Sequence, residues 1–266
     1  MKEFFGIGGF QRPVEGYFSP QHLLFVSLLM VIMTSLAIFL GMKYKDADTA
    51  KKNKVIIVSA IIIDSLELFK IIMGCITTND PLNWLGNLPL FMCSIQLITI
   101  PFAAFSKGRI KEASLDFVFI FGLLGAVMGT YLAGNNYASY PVFSFPNVVS
   151  GLTHSISGFV SLYIVISGME SMRKKNIPIT FAIITSFAVM AYIANACLST
   201  NYMFLVRGDG TPYDIIYDLV NGNPIIYPIL VLVLFLAYIA LFYWVYFLIR
   251  NRKKSTEEEK VPERVA

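Results

Sequence analysis

The chain has 266 residues, of which 56% are hydrophobic and only 14% charged, and its mean hydropathy is +0.66. An ordinary soluble domain carries about 25% charged residues. The apolar residues here come in long blocks, which excludes a water-soluble domain, a disordered chain, a collagen-like fibre, a coiled coil and a nucleic-acid-binding module. The formal charge of +4 is too small to imply a polyanionic partner. What remains is an all-α, polytopic membrane protein.

Residues 1–20 contain Pro13, Glu15 and Pro20 where a signal peptide needs an unbroken apolar core, so no cleavable leader is expected. About 20 apolar residues carry a helix across the hydrocarbon core, and seven segments qualify: 21–42, 55–75, 84–105, 115–133, 148–168, 178–204 and 224–249. Each is too long and too uniformly apolar for a barrel strand of about ten alternating residues. Ser19-Pro20 and Asn223-Pro224 read as N-caps followed by proline in the first helical turn. Pro101 removes one backbone donor near the end of the third segment. Residues 1–254 form one transmembrane domain in this reading, and 255–266 a charged, disordered tail.

Lysine and arginine alternate between the connecting segments. Lys43, Lys45, Lys51, Lys52 and Lys54 precede the second span, Lys107, Arg109 and Lys111 the fourth, and Arg173, Lys174 and Lys175 the sixth, while six more follow Ile249. The opposite side has only Lys2, Arg12 and Arg207. The positive-inside rule then puts the N-terminus outside and the C-terminus in the cytoplasm, which an odd number of spans requires. A multi-pass protein of the plasma membrane is expected.

Ionisable groups inside a span are expensive and mark functional sites by default. Asp64, Glu67 and Lys70 fall in the second span, Cys93 and Gln96 in the third, His154 in the fifth, and Asn195, Ser199 and Tyr202 in the sixth. With helical rise throughout, Cys93 lies about 13 Å below Trp84 and His154 about 9 Å below Val148. Apart from the deeper Asp64, the strongly polar residues therefore gather in the outer half. Ser150, His154, Ser157 and Ser161 make one stripe, Asn195, Ser199 and Tyr202 another, and Glu67 and Lys70 are spaced to pair. Each also has a plainer role: cysteine as a small apolar residue, serines as close-packing positions, Glu67–Lys70 as a structural ion pair. Cys75, Cys93 and Cys197 form no CxxC spacing, so neither a disulfide framework nor a zinc site is indicated, and no metal or cofactor is expected.

The segment Asn87-Leu88-Pro89-Leu90-Phe91-Met92-Cys93-Ser94 resembles the Leu-Pro-Leu-x-x-Cys signature of the YwaF-type bacterial integral membrane proteins. The resemblance continues through Phe121-Gly122-Leu123-Leu124-Gly125-Ala126, Phe145-Pro146 with the His154 segment, and Asn201-Tyr202-Met203-Phe204-Leu205. That family is distantly similar to eukaryotic membrane acyltransferases that remodel ether phospholipids, which implies a cysteine nucleophile and a histidine base. Cys93 and His154 match those positions. Many members have histidine two residues before the cysteine, where Phe91 stands here.

The resemblance implies a lipid acyltransferase or acyl hydrolase with membrane lipids as substrate, Cys93 and His154 as catalytic pair, and Gln96, Asn195 or Tyr202 as oxyanion donors beside Ser150 and Ser157. Two readings of another class stand beside it. A transporter would route its substrate past Asp64, Glu67 and Lys70, but the inner half offers few further polar residues. A small-ligand membrane receptor would bind in the same cluster; a retinal protein is excluded, because the seventh span has no lysine.

Overall fold

A computed structural model describes residues 1–170 and 172–259, with side chains through Arg252. Among the described residues there are ten α-helices and no strand: α1 (Lys2–Phe5), α2 (Pro20–Lys43), α3 (Thr49–Thr78), α4 (Gln96–Phe105), α5 (Gly108–Met128), α6 (Gly134–Ser139), α7 (Phe145–Ile166), α8 (Ile177–Leu198), α9 (Asp214–Leu219) and α10 (Ile226–Glu259). Of the expected charged tail, residues 255–259 continue α10, and 260–266 lie outside the described residues.

The caps explain several starts. Ser19 accepts the His22 amide at 3.2 Å with Pro20 at the first helical position. Asp48 accepts the Lys51 amide at 2.8 Å to open α3. Asn223 Oδ1 accepts the amides of Ile225 and Ile226, each at 3.0 Å, so the expected cap is present although α10 begins at Ile226. Four helical stretches are long and apolar enough to cross a membrane: Pro20–Lys43, Phe145–Ile166, Lys174–Leu198 and Ile226–Arg252. α3 and α5 have 30 and 21 residues but carry more charge.

α7 is the centre of the bundle, packed against α2, α3 and α5. Small residues let it approach closely. A methyl group on Gly122 of α5 would lie 2.6 Å from the Ser157 carbonyl oxygen, and one on Gly158 of α7 would lie 2.4 Å from Met33 Sδ and 2.6 Å from Ala126 Cβ. Membrane helices have no hydrophobic drive to associate with one another, and close backbone approach supplies the attraction instead. At the end carrying the N-terminus, Phe5 packs on Phe145 and Phe69, with ring centroids 5.0 and 6.3 Å away. The Glu3 carboxylate closes that segment by accepting the Gln11 and Arg12 amides.

Two expected helices are interrupted, and both interruptions bear on function. Across 84–105 only Gln96–Phe105 is α-helical; Asn83–Gly86 is a 3-10 turn and the chain between them is irregular. Pro89 has no N–H and disfavours a helical Leu88, which breaks the helix there. The helical-rise depth of Cys93 therefore does not hold: Cys93 lies in the broken stretch, one turn before α4. Across 178–204, α8 ends at Leu198, with Ser199 left-handed at φ 53°. Tyr202 is consequently not on one helical stripe with Asn195 and Ser199, as expected, but in a separate 3-10 turn.

Candidate functional site

Irregular backbone inside a helical bundle must find hydrogen-bond partners for its N–H and C=O groups. Tyr202 supplies such partners to the broken segment. Its phenol oxygen accepts the Leu88 amide at 3.2 Å and its hydroxyl donates to the Leu85 carbonyl. Asn195 in turn fixes Tyr202, accepting its amide at 2.6 Å and donating to its carbonyl at 3.0 Å. Thr200 donates to the same Asn195 oxygen at 2.9 Å. Two residues expected as oxyanion donors are thus a buttress holding the Leu85–Cys93 chain.

That chain, α3 and α7 enclose a cavity of about 40 Å³, lined by Ile63, Glu67, Lys70, Cys93, Ser94, Leu97, Ser150, Thr153, His154 and Ser157. α5 forms the support behind it. A methyl on Gly125 would lie 3.9 Å from Cys93 Cβ, and one on Gly129 would lie 2.3 Å from the His154 ring. Gly125 and Gly129 are one turn apart, about 6 Å along the axis, so cysteine and histidine rest on successive turns of the same helix face. Lacking a Cβ, Gly129 leaves the space that the imidazole occupies.

Hydrogen bonding inside the cavity is sparse. Lys70 Nζ lies 2.6 Å from Glu67 Oε1, both on α3. Ser157 and Thr153 donate back along α7, to the carbonyls of Thr153 and Ser150 at 3.2 and 3.0 Å. Ser150 Oγ accepts from Asn136 at 3.2 Å. Among the described residues, no protein group hydrogen-bonds either ring nitrogen of His154. His22 is the opposite case: fully buried, with Nδ1 accepting the Phe18 amide at 3.1 Å, Nε2 3.0 Å from the Thr130 carbonyl, and its ring 3.8 Å from that of Tyr137. One histidine is a structural tie; the other faces open space.

Of the residues singled out in the sequence, Cys93, His154, Ser150, Ser157, Glu67 and Lys70 meet in the cavity. Gln96 does not line it: its side chain is 1% exposed, its Oε1 accepts from Thr99 at 3.2 Å, and its Nε2 has no protein partner. Asp64, a turn from Glu67, is also outside the lining. Cys75 and Cys197 are free thiols elsewhere. Sequence reasoning missed Ser94 and Thr153 in the wall and Gly125 and Gly129 behind it, although the Gly-x-x-x-Gly spacing was there to be read. Among the described residues no three His, Cys, Asp or Glu side chains converge as metal ligands.

Asp116 of α5, not singled out in the sequence, is 1% exposed and lies nine residues, about 13 Å, from Gly125. Its Oδ1 accepts the Met172 amide at 2.9 Å, and its Oδ2 accepts from Asn176 Nδ2 at 2.9 Å and the Tyr243 hydroxyl at 2.8 Å. Tyr243 also contacts Thr180 Oγ1 at 3.1 Å. This cluster ties α5 to α8 and α10.

Apolar helices packed through small residues around a charged, water-sized cavity define an integral membrane protein. The chain belongs to the TMEM164 family, which it matches over residues 17–246. No curated protein and no solved structure matches it.

Proposed function

We propose that the protein is a membrane-embedded acyltransferase or acyl hydrolase acting on membrane phospholipids through Cys93 and His154. The observation that carries this reading is their shared cavity, with each residue seated on successive glycines of one face of α5. In the same reading the chain crosses the plasma membrane seven times, through α2, α3, the 84–105 segment with α4, α5, α7, α8 and α10. The N-terminus is outside, as the distribution of lysine and arginine supports.

A thiol needs a base to be nucleophilic near neutral pH. His154, with no competing protein hydrogen bond, takes the Cys93 proton. The thiolate attacks an acyl ester, forming a C–S bond; the C–O bond breaks, and the departing lysolipid oxygen takes the proton from the imidazolium. An acceptor hydroxyl, of a lysolipid or of water, then gives its proton to His154 and attacks the thioester, and Cys93 leaves as thiolate. A cavity of about 40 Å³ holds little more than one water. It therefore suits the ester group alone, with the acyl chain lying along the apolar exterior.

Purified protein in phospholipid vesicles, given a labelled acyl donor and a lysolipid acceptor, tests this. Cys93→Ala and His154→Ala should each abolish transfer and hydrolysis while both variants remain folded. Turnover unchanged in either variant overturns the reading and leaves a non-enzymatic membrane protein.

A further inference from the structure

The Glu67–Lys70 pair has a feature that a structural tie does not. Both residues are on α3, three positions apart, so their ion pair joins no two elements of the bundle. A lysine placed inside a membrane helix is costly, and an ion pair within one helical turn offsets little of that cost. Packing alone gives little reason to keep such a cation here. Its ammonium has three donors; Glu67 accounts for one, and among the described residues no other protein acceptor takes the remaining two. It lines the same cavity as Cys93 and His154.

We propose that Lys70 is the electrostatic catalyst of this site, donating to the Cys93 thiolate as His154 removes the proton and to the carbonyl oxyanion during acyl transfer, with Glu67 as the positioning residue that holds its ammonium in the cavity wall. The proposal rests on the acyl-transfer reading and supplies the donor that Tyr202, committed to the Leu85 and Leu88 backbone, and Asn195, committed to the Tyr202 backbone, do not. When the sulfur lone pair forms the C–S bond, the carbonyl π pair moves to oxygen. Lys70 donates an N–H to that oxygen. The pair returns as the C–O bond to the lysolipid breaks and His154 delivers its proton to the leaving oxygen. Lys70 exchanges no proton in the cycle. Preorganised charge in a water-poor site needs no reorganisation as the oxyanion forms, which is why such donors are worth about 10²–10³ in kcat.

The charged and titratable groups around Cys93 are Glu67 and Lys70 from α3 and His154 from α7, with Asp64 one turn along α3 outside the lining. This makes the prediction specific. In a Cys75→Ser, Cys197→Ser background, Cys93 is the sole thiol, and its alkylation by a small neutral maleimide is followed against pH in vesicles. Lys70→Met should move the alkylation profile to higher pH and slow the reaction about tenfold at pH 7.5, since a neighbouring positive charge favours the thiolate. Lys70→Arg should keep the profile within about threefold. Glu67→Gln, which no longer holds the ammonium in the cavity wall, should slow alkylation in the same direction but by less than Lys70→Met, and supplies a second reading if Lys70→Met inserts poorly. In the transfer assay Lys70→Met should lower kcat about 100-fold with KM within about threefold, and Lys70→Arg should recover most of it. An alkylation profile unmoved by both Lys70→Met and Glu67→Gln overturns the proposal, as does a loss confined to KM. Alkylation needs no turnover, so failure of the acyl-transfer reading, seen as no activity in the unsubstituted protein, is told apart from failure of the role given to Lys70.

Discussion

Asp116 and Lys70 are both ionisable side chains on helices of the bundle, and the bundle treats them in opposite ways. Asp116 is surrounded: a backbone amide, a carboxamide and a phenol converge on its two oxygens and join α5 to α8, α10 and the chain between α7 and α8. Among the described residues Lys70 has one partner, from its own helix, and spare donors facing a cavity shared with a thiol and an imidazole. The two histidines divide in the same way among the described residues, His22 bonded through both ring nitrogens and His154 through neither. Polar burial is costly unless satisfied, so saturation marks a group retained for architecture. An unsaturated group beside space marks one kept for what enters that space.

Substitutions at the two clusters should therefore separate stability from chemistry. Asp116→Ala removes the buried acceptor shared by the Met172 amide, Asn176 Nδ2 and the Tyr243 hydroxyl and should cost about 3–5 kcal/mol, read as a lower unfolding midpoint in detergent. Cys93→Ala should change that midpoint by less than about 1 kcal/mol while ending acyl transfer. Tyr202→Phe is intermediate: it leaves the Leu88 N–H and the Leu85 carbonyl unpaired, at about 1–3 kcal/mol. Hydrogen exchange should quicken over residues 85–95 and stay unchanged in α10, and transfer should fall because the segment carrying Cys93 loosens. Equal quickening in both places would contradict the buttress.

The glycine pair offers a finer contrast. Gly129→Ala puts a methyl 2.3 Å from the His154 ring, whereas Gly125→Ala meets Cys93 Cβ at an ordinary 3.9 Å. The first should cost about 1–3 kcal/mol as overpacking and displace the imidazole, with activity falling further than stability. The second should be tolerated in both. The smallest effect belongs to the N-terminal segment, where the Arg12 and Gln11 amides hold the Glu3 carboxyl below its ordinary value of 4.5. A lowered native value means the closure is complete above the ordinary value and is lost as the pH falls through the native one. Proteolysis of residues 1–18 should rise as the pH falls below 4.5 with the bundle intact, and Glu3→Gln should show that susceptibility at neutral pH.

Much of the bundle was legible in the chain because hydrophobic blocks and caps are local signals. Ser19-Pro20 and Asn223-Pro224 mark real starts, and the 148–168 block lies almost entirely within α7. The 84–105 block misled because its composition reads as one helix while Pro89 breaks the backbone inside it. The Asn195–Ser199–Tyr202 stripe misled for a related reason: helical spacing is informative only as far as the helix runs, and α8 stops at Leu198. Asp116 was passed over at the charged end of a span, where a carboxylate attracts no notice until three donors are seen to reach it.

Membrane embedding, the helical class and the residues worth watching follow from the sequence alone, because apolar length, charge asymmetry and intramembrane polarity are properties of composition and order. Which of those residues meet is another matter. Cys93, Lys70 and His154 come from three separate parts of the chain, and Asn195 and Tyr202 turn away to support a backbone. Only the packing of α3, α5 and α7 decides this, since side-chain convergence depends on helix rotation and on where a helix breaks, neither of which one-dimensional spacing records.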